Sequence, residues 1–303
     1  MNNRNLRDLL RYATDTLRLS GIESAALDAQ LLAAYVLKQG RVYVLTHPEL
    51  ELTTEQADRF HSLITRRCQH EPVAYLTGTC EFMALDFTVN EHTLIPRADT
   101  ETLVEAAIAH IRRHNCQRIL EIGTGSGCIS VSIAVNCLNT RITAVDISSN
   151  ALSVAVANAA NHNVGSRVCF IQGDIFNNSL AKELSGFGSF DIIISNPPYI
   201  TAEEMRTLPP NVHRFEPHTA LFGGNDGLAF YKEIARRSPS LLAASGIALL
   251  EIGCTQAKAT QDIFQKYGFT HTTILQDLAS KDRVLSASIG DLRTEDTSLV
   301  SPA

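Results

Sequence analysis

A chain of 303 residues, 45% hydrophobic and 19% charged, is long enough to bury two cores and has the composition of an ordinary soluble globular protein. The formal net charge of −6 is unevenly placed: residues 1–75 hold 9 Lys+Arg and 9 Asp+Glu, so the acidic excess falls on the remainder. Neither part has the basic excess a non-specific nucleic-acid binder needs to displace counterions. No apolar run approaches the roughly 18 residues of a membrane span, and the seven cysteines form no C-x-x-C pair or cluster with histidine. A reduced cytoplasmic protein without a metal site is expected.

Leu6, Leu9, Leu10, Ala13 and Leu17 recur at helical spacing. Arg4, Arg7, Arg11 and Arg18 among them are interleaved with Asp8 and Asp15 and precede no cleavable apolar segment, so the stretch reads as a surface helix rather than a transit peptide. Leu27, Leu31, Leu32, Ala34, Val36 and Leu37 repeat the pattern after Gly21. Thr53 and Gln56 then form a capping box ahead of Ala57, Phe60, Leu63 and Ile64. Residues 1–75 are therefore expected to form a small helical bundle. Phe82, Leu85, Phe87 and Val89 predict a β-hairpin linker over 76–95 that hinges two domains.

From Pro96 the pattern alternates strands with helices, the signature of a parallel sheet covered on both faces, so 96–290 is expected to be a Rossmann-like α/β domain. Its helices fall near 100–113, from Cys128, over 149–162, 228–243 and 255–267. Parallel strands are expected at 118–122, 141–145, 168–171, up to Asn196 and at 247–251, with an antiparallel pair near 269–275 and 283–289. The polar stretch 291–303 has no core pattern and is expected to be disordered.

Four of these strands end in residues suited to chemistry. After the first come Glu121-Ile122-Gly123-Thr124-Gly125-Ser126-Gly127, whose glycines let backbone approach a ligand closely and aim helix N-terminal N–H groups at it. Asp146 ends the second, where a carboxylate can accept both hydroxyls of a ribose. Asp174 follows the third; an acid there can hold an adenine amino group, although an exposed loop aspartate is the commoner explanation of any single one. The fourth, Ile192-Ile193-Ile194-Ser195, is halted by Asn196-Pro197-Pro198-Tyr199, because consecutive prolines remove two ladder donors and fix φ twice. At the carboxyl end of a parallel strand this rigid loop can hold a planar amide or amine. The Asn196 oxygen and a backbone carbonyl accept its two N–H hydrogens, and Tyr199 packs on its face. A proline turn ending a core strand would have the same sequence, and a nicotinamide dehydrogenase would share the first two elements but has no role for the fourth.

The four elements together resemble an S-adenosylmethionine-dependent methyltransferase acting on nitrogen, the chemistry of enzymes that methylate adenine in DNA, guanine in ribosomal RNA or glutamine in proteins. Gly78-Thr79-Cys80-Glu81-Phe82, Leu94-Ile95-Pro96-Arg97-Ala98-Asp99-Thr100-Glu101 and Arg214-Phe215-Glu216-Pro217-His218-Thr219-Ala220-Leu221 narrow the resemblance to the peptide chain release factor glutamine N5-methyltransferases, the HemK/PrmC family. It runs from about residue 4 to 289. It implies a class I methyltransferase sheet, S-adenosylmethionine as cofactor, and the glutamine of the Gly-Gly-Gln motif of class 1 release factors as acceptor. The nearest rival is a ribosomal-protein glutamine methyltransferase; further off is a DNA adenine or rRNA guanine methyltransferase, against which the missing basic excess counts.

The implied cofactor residues are Glu121, Gly123, Thr124, Gly125, Ser126, Gly127, Asp146, Asp174, Ile175 and Asn196, and the implied catalytic ones Asn196, Pro197, Pro198 and Tyr199. Ile175 stands where the family often has an aromatic residue. Asp99 or Thr100 is expected to cap the helix after Pro96, Arg97 is a candidate to line the site, and Arg214 and Glu216 are expected to brace the loop over the substrate. A monomer without direct nucleic-acid or membrane contact is expected.

Overall fold

The computed structural model describes residues 4–290 and separates into two compact units, one ending at Thr79 and including Pro209–Phe215, the other comprising Cys80–Leu208 and the residues from Glu216 onward. In the first unit lie α1 (Leu6–Leu19), α2 (Ala25–Leu37), α3 (Arg41–Thr46), α4 (Thr54–Cys68) and α5 (Val73–Thr77). Leu6, Leu9, Ala13 and Leu17 line one stripe of α1 and are buried with Leu32, Phe60 and Ile64, as the spacing requires. The Thr53–Gln56 capping box forms in both directions, at 3.1 and 2.9 Å. Within this core Arg67 pairs with Asp28 at 2.7 Å, each nearly buried, so neither charge is left without a counter-charge. The short helices α3 and α5 have no expectation in the sequence, being too brief to display a period.

The second unit opens with the hairpin of β1 (Thr79–Phe82) and β2 (Leu85–Thr88), followed by α6 (Ala98–His114). Then come β3 (Arg118–Ile122), α7 (Cys128–Asn136), β4 (Arg141–Asp146), α8 (Ser149–Asn161), β5 (Val168–Gln172), α9 (Asn178–Ser185) and β6 (Phe190–Ser195). After an irregular stretch, interrupted by the short α10 (Pro210–His213) that belongs to the first unit, come α11 (Ala229–Leu241), β7 (Leu242–Glu251), α12 (Ala257–Lys266), β8 (His271–Gln276) and β9 (Asp282–Ser288). The main sheet has the order β5-β4-β3-β6-β7-β9-β8; the first five strands are parallel, and β9 runs antiparallel to both of its neighbours. Both faces are covered. Ile192 and Ile194 of β6 join a core with Leu103 and Ile108, while the intervening Ile193 joins one with Tyr231, Ile234 and Phe264.

The hairpin is built into this unit rather than free of it. Phe82 and Phe87 are buried in the sheet core, and the fully buried Asn158 exchanges hydrogen bonds with the backbone of Thr88 at 2.8 and 2.9 Å. Helix α9 was not expected, although its signal is present: Asn177 caps it through Ser179 N–H at 3.0 Å, and Leu180 and Leu184, four residues apart, are its buried positions. The reading of Asp99 or Thr100 as a helix cap is corrected. Helix α6 begins at Ala98 after Arg97, which puts both residues in its first turn with other partners: Asp99 meets Arg283 at 2.9 Å, and Thr100 meets Glu251. The expected tail 291–303 lies outside the described residues. Among the described residues no helix is long and apolar enough to cross a membrane.

Candidate active site

Strand order reverses at β3, which has β4 on one side and β6 on the other, and open α/β sheets bind ligands outside the carboxyl ends of the strands at such a point. Register places Ile122 beside both Val145 and Ser195, so the glycine loop, Asp146 and Asn196 leave the sheet side by side. The buried Ser195 hydroxyl fastens β6 to β3 by donating to the Ile122 carbonyl at 2.7 Å.

In the glycine loop, Gly123 and Gly125 have φ of +76° and +55°, and a Cβ at either would meet nothing within 4 Å. Open space lies over both residues, in a backbone conformation that side chains disfavour. Gly127 differs, since its Cβ would sit 3.1 Å from that of Ala155; this glycine lets α7 lie close to α8. The N–H groups of Gly123 and Thr124 both donate to Val145 O, at 2.8 and 3.0 Å, and that of Gly125 to Asp146 Oδ2 at 2.8 Å. These donors are therefore committed within the protein, and what the loop offers a ligand over Gly123 and Gly125 is room. Thr124 and Ser126 are buried.

Asp146 spends one lone pair of each oxygen on the loop backbone, Oδ2 on Gly125 N–H and Oδ1 on Ser148 N–H at 2.9 Å, and the rest of the carboxylate, half-buried, stays able to accept. Burial raises its pKa, and the bonds from Ser148 and Gly125 oppose that rise. Glu121 lies fully buried under the loop. Its Oε2 accepts from Ser130 and, at 2.7 Å, from Thr124, while its Oε1 has no hydrogen-bond partner. Desolvation pushes this carboxyl up to about 7 against the pull of those two hydroxyls.

Asp174 closes an Asx turn, accepting from Phe176 N–H at 2.9 Å, and remains half-buried. Ile175, one of the implied cofactor residues, packs in the core with Leu180 and Leu184, whereas Phe176 is exposed and meets Phe230 edge-on at 5.0 Å. The protein thus holds an exposed aromatic one position later than expected.

Asn196 is half-buried and donates from Nδ2 to Thr100 Oγ1 at 3.1 Å, and Thr100 donates to Glu251 Oε2 at 2.6 Å. Tyr199 follows the buried Pro197 and half-buried Pro198, and its hydroxyl reaches Glu251 Oε1 at 3.3 Å. Burial raises the pKa of Glu251, and Thr100, Arg283 and Tyr199 lower it. The loop is also gripped from behind. Gln256 Nε2 donates to Tyr199 O at 3.1 Å, Ile200 N–H donates to Leu221 O at 3.0 Å, and Gly223 N–H donates to Ile200 O at 2.9 Å. A Cβ on Gly223 would lie 2.6 Å from Pro198 O, and one on Gly227 2.4 Å from Tyr199 O, so both are close-approach glycines. Arg97 and the buried Glu216 form an ion pair, and Glu216 also accepts from Ile95 N–H at 3.2 Å, so the loop before α6 and the residues after Phe215 are joined as a brace. Thr100, Glu251, Gln256, Gly223 and Gly227 are the site residues that sequence reasoning missed. Only Thr100 lay within a stretch already singled out.

Residues 8–78 match the family model of the PrmC N-terminal domain, and residues 99–212 that of the methyltransferase small domain. The chain is 37% identical over 282 residues to the release factor glutamine methyltransferase of Clostridium botulinum, covering 93% of this chain and 98% of that one. It belongs to the release factor glutamine methyltransferase family. Another member, from Geobacter sulfurreducens, is 36% identical over 285 residues and matched over 97% of its length. A bifunctional methyltransferase of Rickettsia typhi is 37% identical over 301 residues, and there the family's sequence occupies 57% of a longer protein. The solved hMettl16 catalytic domain shares the fold, with a TM-score of 0.54 over 79% of this chain and 83% of that one at 16% identity. Among the described residues no group of His, Cys, Asp and Glu could hold a metal ion, and all seven cysteines are free thiols.

Proposed function

We propose that this protein transfers a methyl group from S-adenosylmethionine to the side-chain amide nitrogen of the glutamine in the Gly-Gly-Gln motif of class 1 peptide chain release factors. Its family membership supports the reaction and the substrate class. The observation that carries the mechanism is Asn196, held through Nδ2 at the carboxyl end of β6 with its oxygen left to accept, next to the glycine loop of β3.

The residues present fit the cofactor. Open space over Gly123 and Gly125 admits a ligand against the backbone, and the spare lone pairs of Asp146 suit a ribose diol. When bound, S-adenosylmethionine supplies an electrophilic methyl group. The protein's part is to make a poor nucleophile react, because an amide nitrogen has its lone pair delocalised. The Asn196 oxygen and the Pro197 carbonyl accept the two amide N–H bonds, which fixes the nitrogen's direction. They bind more strongly as positive charge develops on that nitrogen, which is stabilisation specific to the transition state. No general base has to act before transfer: the N–CH3 bond forms as the sulfonium S–CH3 bond breaks to leave a neutral thioether, and the cationic N-methylated amide then sheds one N–H proton to water. Tyr199 packs against the amide plane with its hydroxyl anchored on Glu251.

The helical unit recognises the protein substrate, and the enzyme acts in the cytoplasm as a monomer on protein alone. Incubation with methyl-labelled cofactor and, separately, purified release factor, ribosomal protein, tRNA and DNA tests the proposal. Label is expected in the release factor and absent from a factor whose Gly-Gly-Gln glutamine is changed to alanine; label in that variant or only in another substrate refutes it.

A further inference from the structure

Asn196 can do its work only if its amide is the right way round. Turned by 180° about its last bond, it would present two donors to a substrate amide that also needs its own donors accepted. Nothing in residues 195–199 sets that orientation, because neither proline has an N–H and the Ser195 hydroxyl is committed to Ile122. The orientation is set from two other elements. Thr100, in the first turn of α6, and Glu251, at the end of β7, form with Asn196 a chain of hydrogen bonds with a fixed polarity. A hydroxyl has one proton. A carboxylate accepts only, so Thr100 gives its proton to Glu251 and turns a lone pair to Asn196. That lone pair can be met by Nδ2 and not by Oδ1. Glu251 is itself held in place by Tyr199 on its other oxygen, and the backbone that carries it accepts from the Tyr231 hydroxyl at 3.1 Å.

We infer that Thr100 and Glu251 are positioning residues for methyl transfer, which fix the Asn196 amide with its oxygen toward the substrate. The inference rests on the proposed role of Asn196 and adds what enforces it. It also gives Glu251 a purpose: a carboxylate 2% exposed would otherwise be a buried charge maintained at a cost in stability.

The test is a double-mutant cycle on the full-length enzyme, read as kcat and KM for release factor, with cofactor affinity by calorimetry and folding by thermal melting. Thr100→Val keeps the shape and removes the hydroxyl. It is expected to lower kcat on the order of tenfold or more with cofactor affinity kept, and Thr100→Ser is expected to restore most of the rate. Glu251→Gln, whose amide can donate as well as accept and so lets the chain run backwards, is expected to lower kcat in the same sense. In an Asn196→Ala background each change should cost less than about twofold, since there is no amide left to orient. Equal losses in both backgrounds, from either variant, would mean a structural role and overturn the inference, as would a Thr100→Val enzyme with wild-type kcat. If Asn196→Ala alone has wild-type kcat, it is the role of Asn196 that fails, which separates the two claims.

Discussion

Gly223 and Pro198 come so close that a single added carbon on the glycine would lie 2.6 Å from the proline carbonyl oxygen and 2.7 Å from the Cα of Tyr199. The atoms in the way are backbone, which cannot swing aside as the end of a flexible side chain can. Gly223→Ala is therefore expected to push the Asn196–Tyr199 loop outward. Because misplacement near 1 Å can cost about 100-fold in rate, kcat should fall by 10- to 100-fold while calorimetry finds cofactor affinity within about threefold of wild type. An alanine enzyme of full kcat would show that the loop does not need this support.

Asp146 is expected to matter to the cofactor twice, as acceptor for the ligand and as the anchor of Gly125 and Ser148 N–H. Asp146→Ala should weaken S-adenosylmethionine binding by roughly 1.5 to 3 kcal/mol, on the scale of charge-assisted hydrogen bonds. Titration calorimetry with an unchanged Kd would remove Asp146 from the site.

Glu121 gives stability an uncommon pH dependence. Its carboxyl is raised from 4.5 to about 7 in the folded protein. Between those values the folded state keeps a proton that the unfolded chain has released. The contribution of this group is then fully present below about pH 4.5 and is lost as pH rises through 7, by roughly 3 kcal/mol in all. Denaturation of the cofactor-free protein and of Glu121→Gln, compared from pH 5 to 8, should show the variant gaining on the wild type as pH rises. A difference independent of pH would mean that Glu121 does not titrate in this window.

The parallel strands and their ends could be read from the sequence because they depend on local rules. A β-branched run such as Ile192-Ile193-Ile194 is buried on both faces wherever the sheet lies, and consecutive prolines stop a strand in any context. The supports of the site could not be read in this way. Thr100 and Glu251 are separated by 151 positions and meet only because α6 lies against the end of β7. Gly223 and Gly227 look like ordinary loop glycines until the loop they touch has been placed. The surroundings of Ile175 are likewise invisible in the sequence: the Asx turn at Asp174 directs its side chain to the core and leaves Phe176 outside. Asp99 and Thr100 fit a helix cap by residue type, but the helix starts one residue earlier, after Arg97, and their side chains go instead to Arg283 and Glu251, partners remote in sequence.

The central claim is that the Asn196 oxygen orients the target amide and gains strength in the transition state. Steady-state kinetics of Asn196→Ala on purified release factor, at saturating S-adenosylmethionine and with folding and cofactor affinity checked on the same preparation, measures that claim directly. The account predicts a folded enzyme that binds cofactor as the wild type does and has lost on the order of 100- to 1000-fold in kcat. A folded, cofactor-saturated Asn196→Ala enzyme working within tenfold of wild type would contradict it.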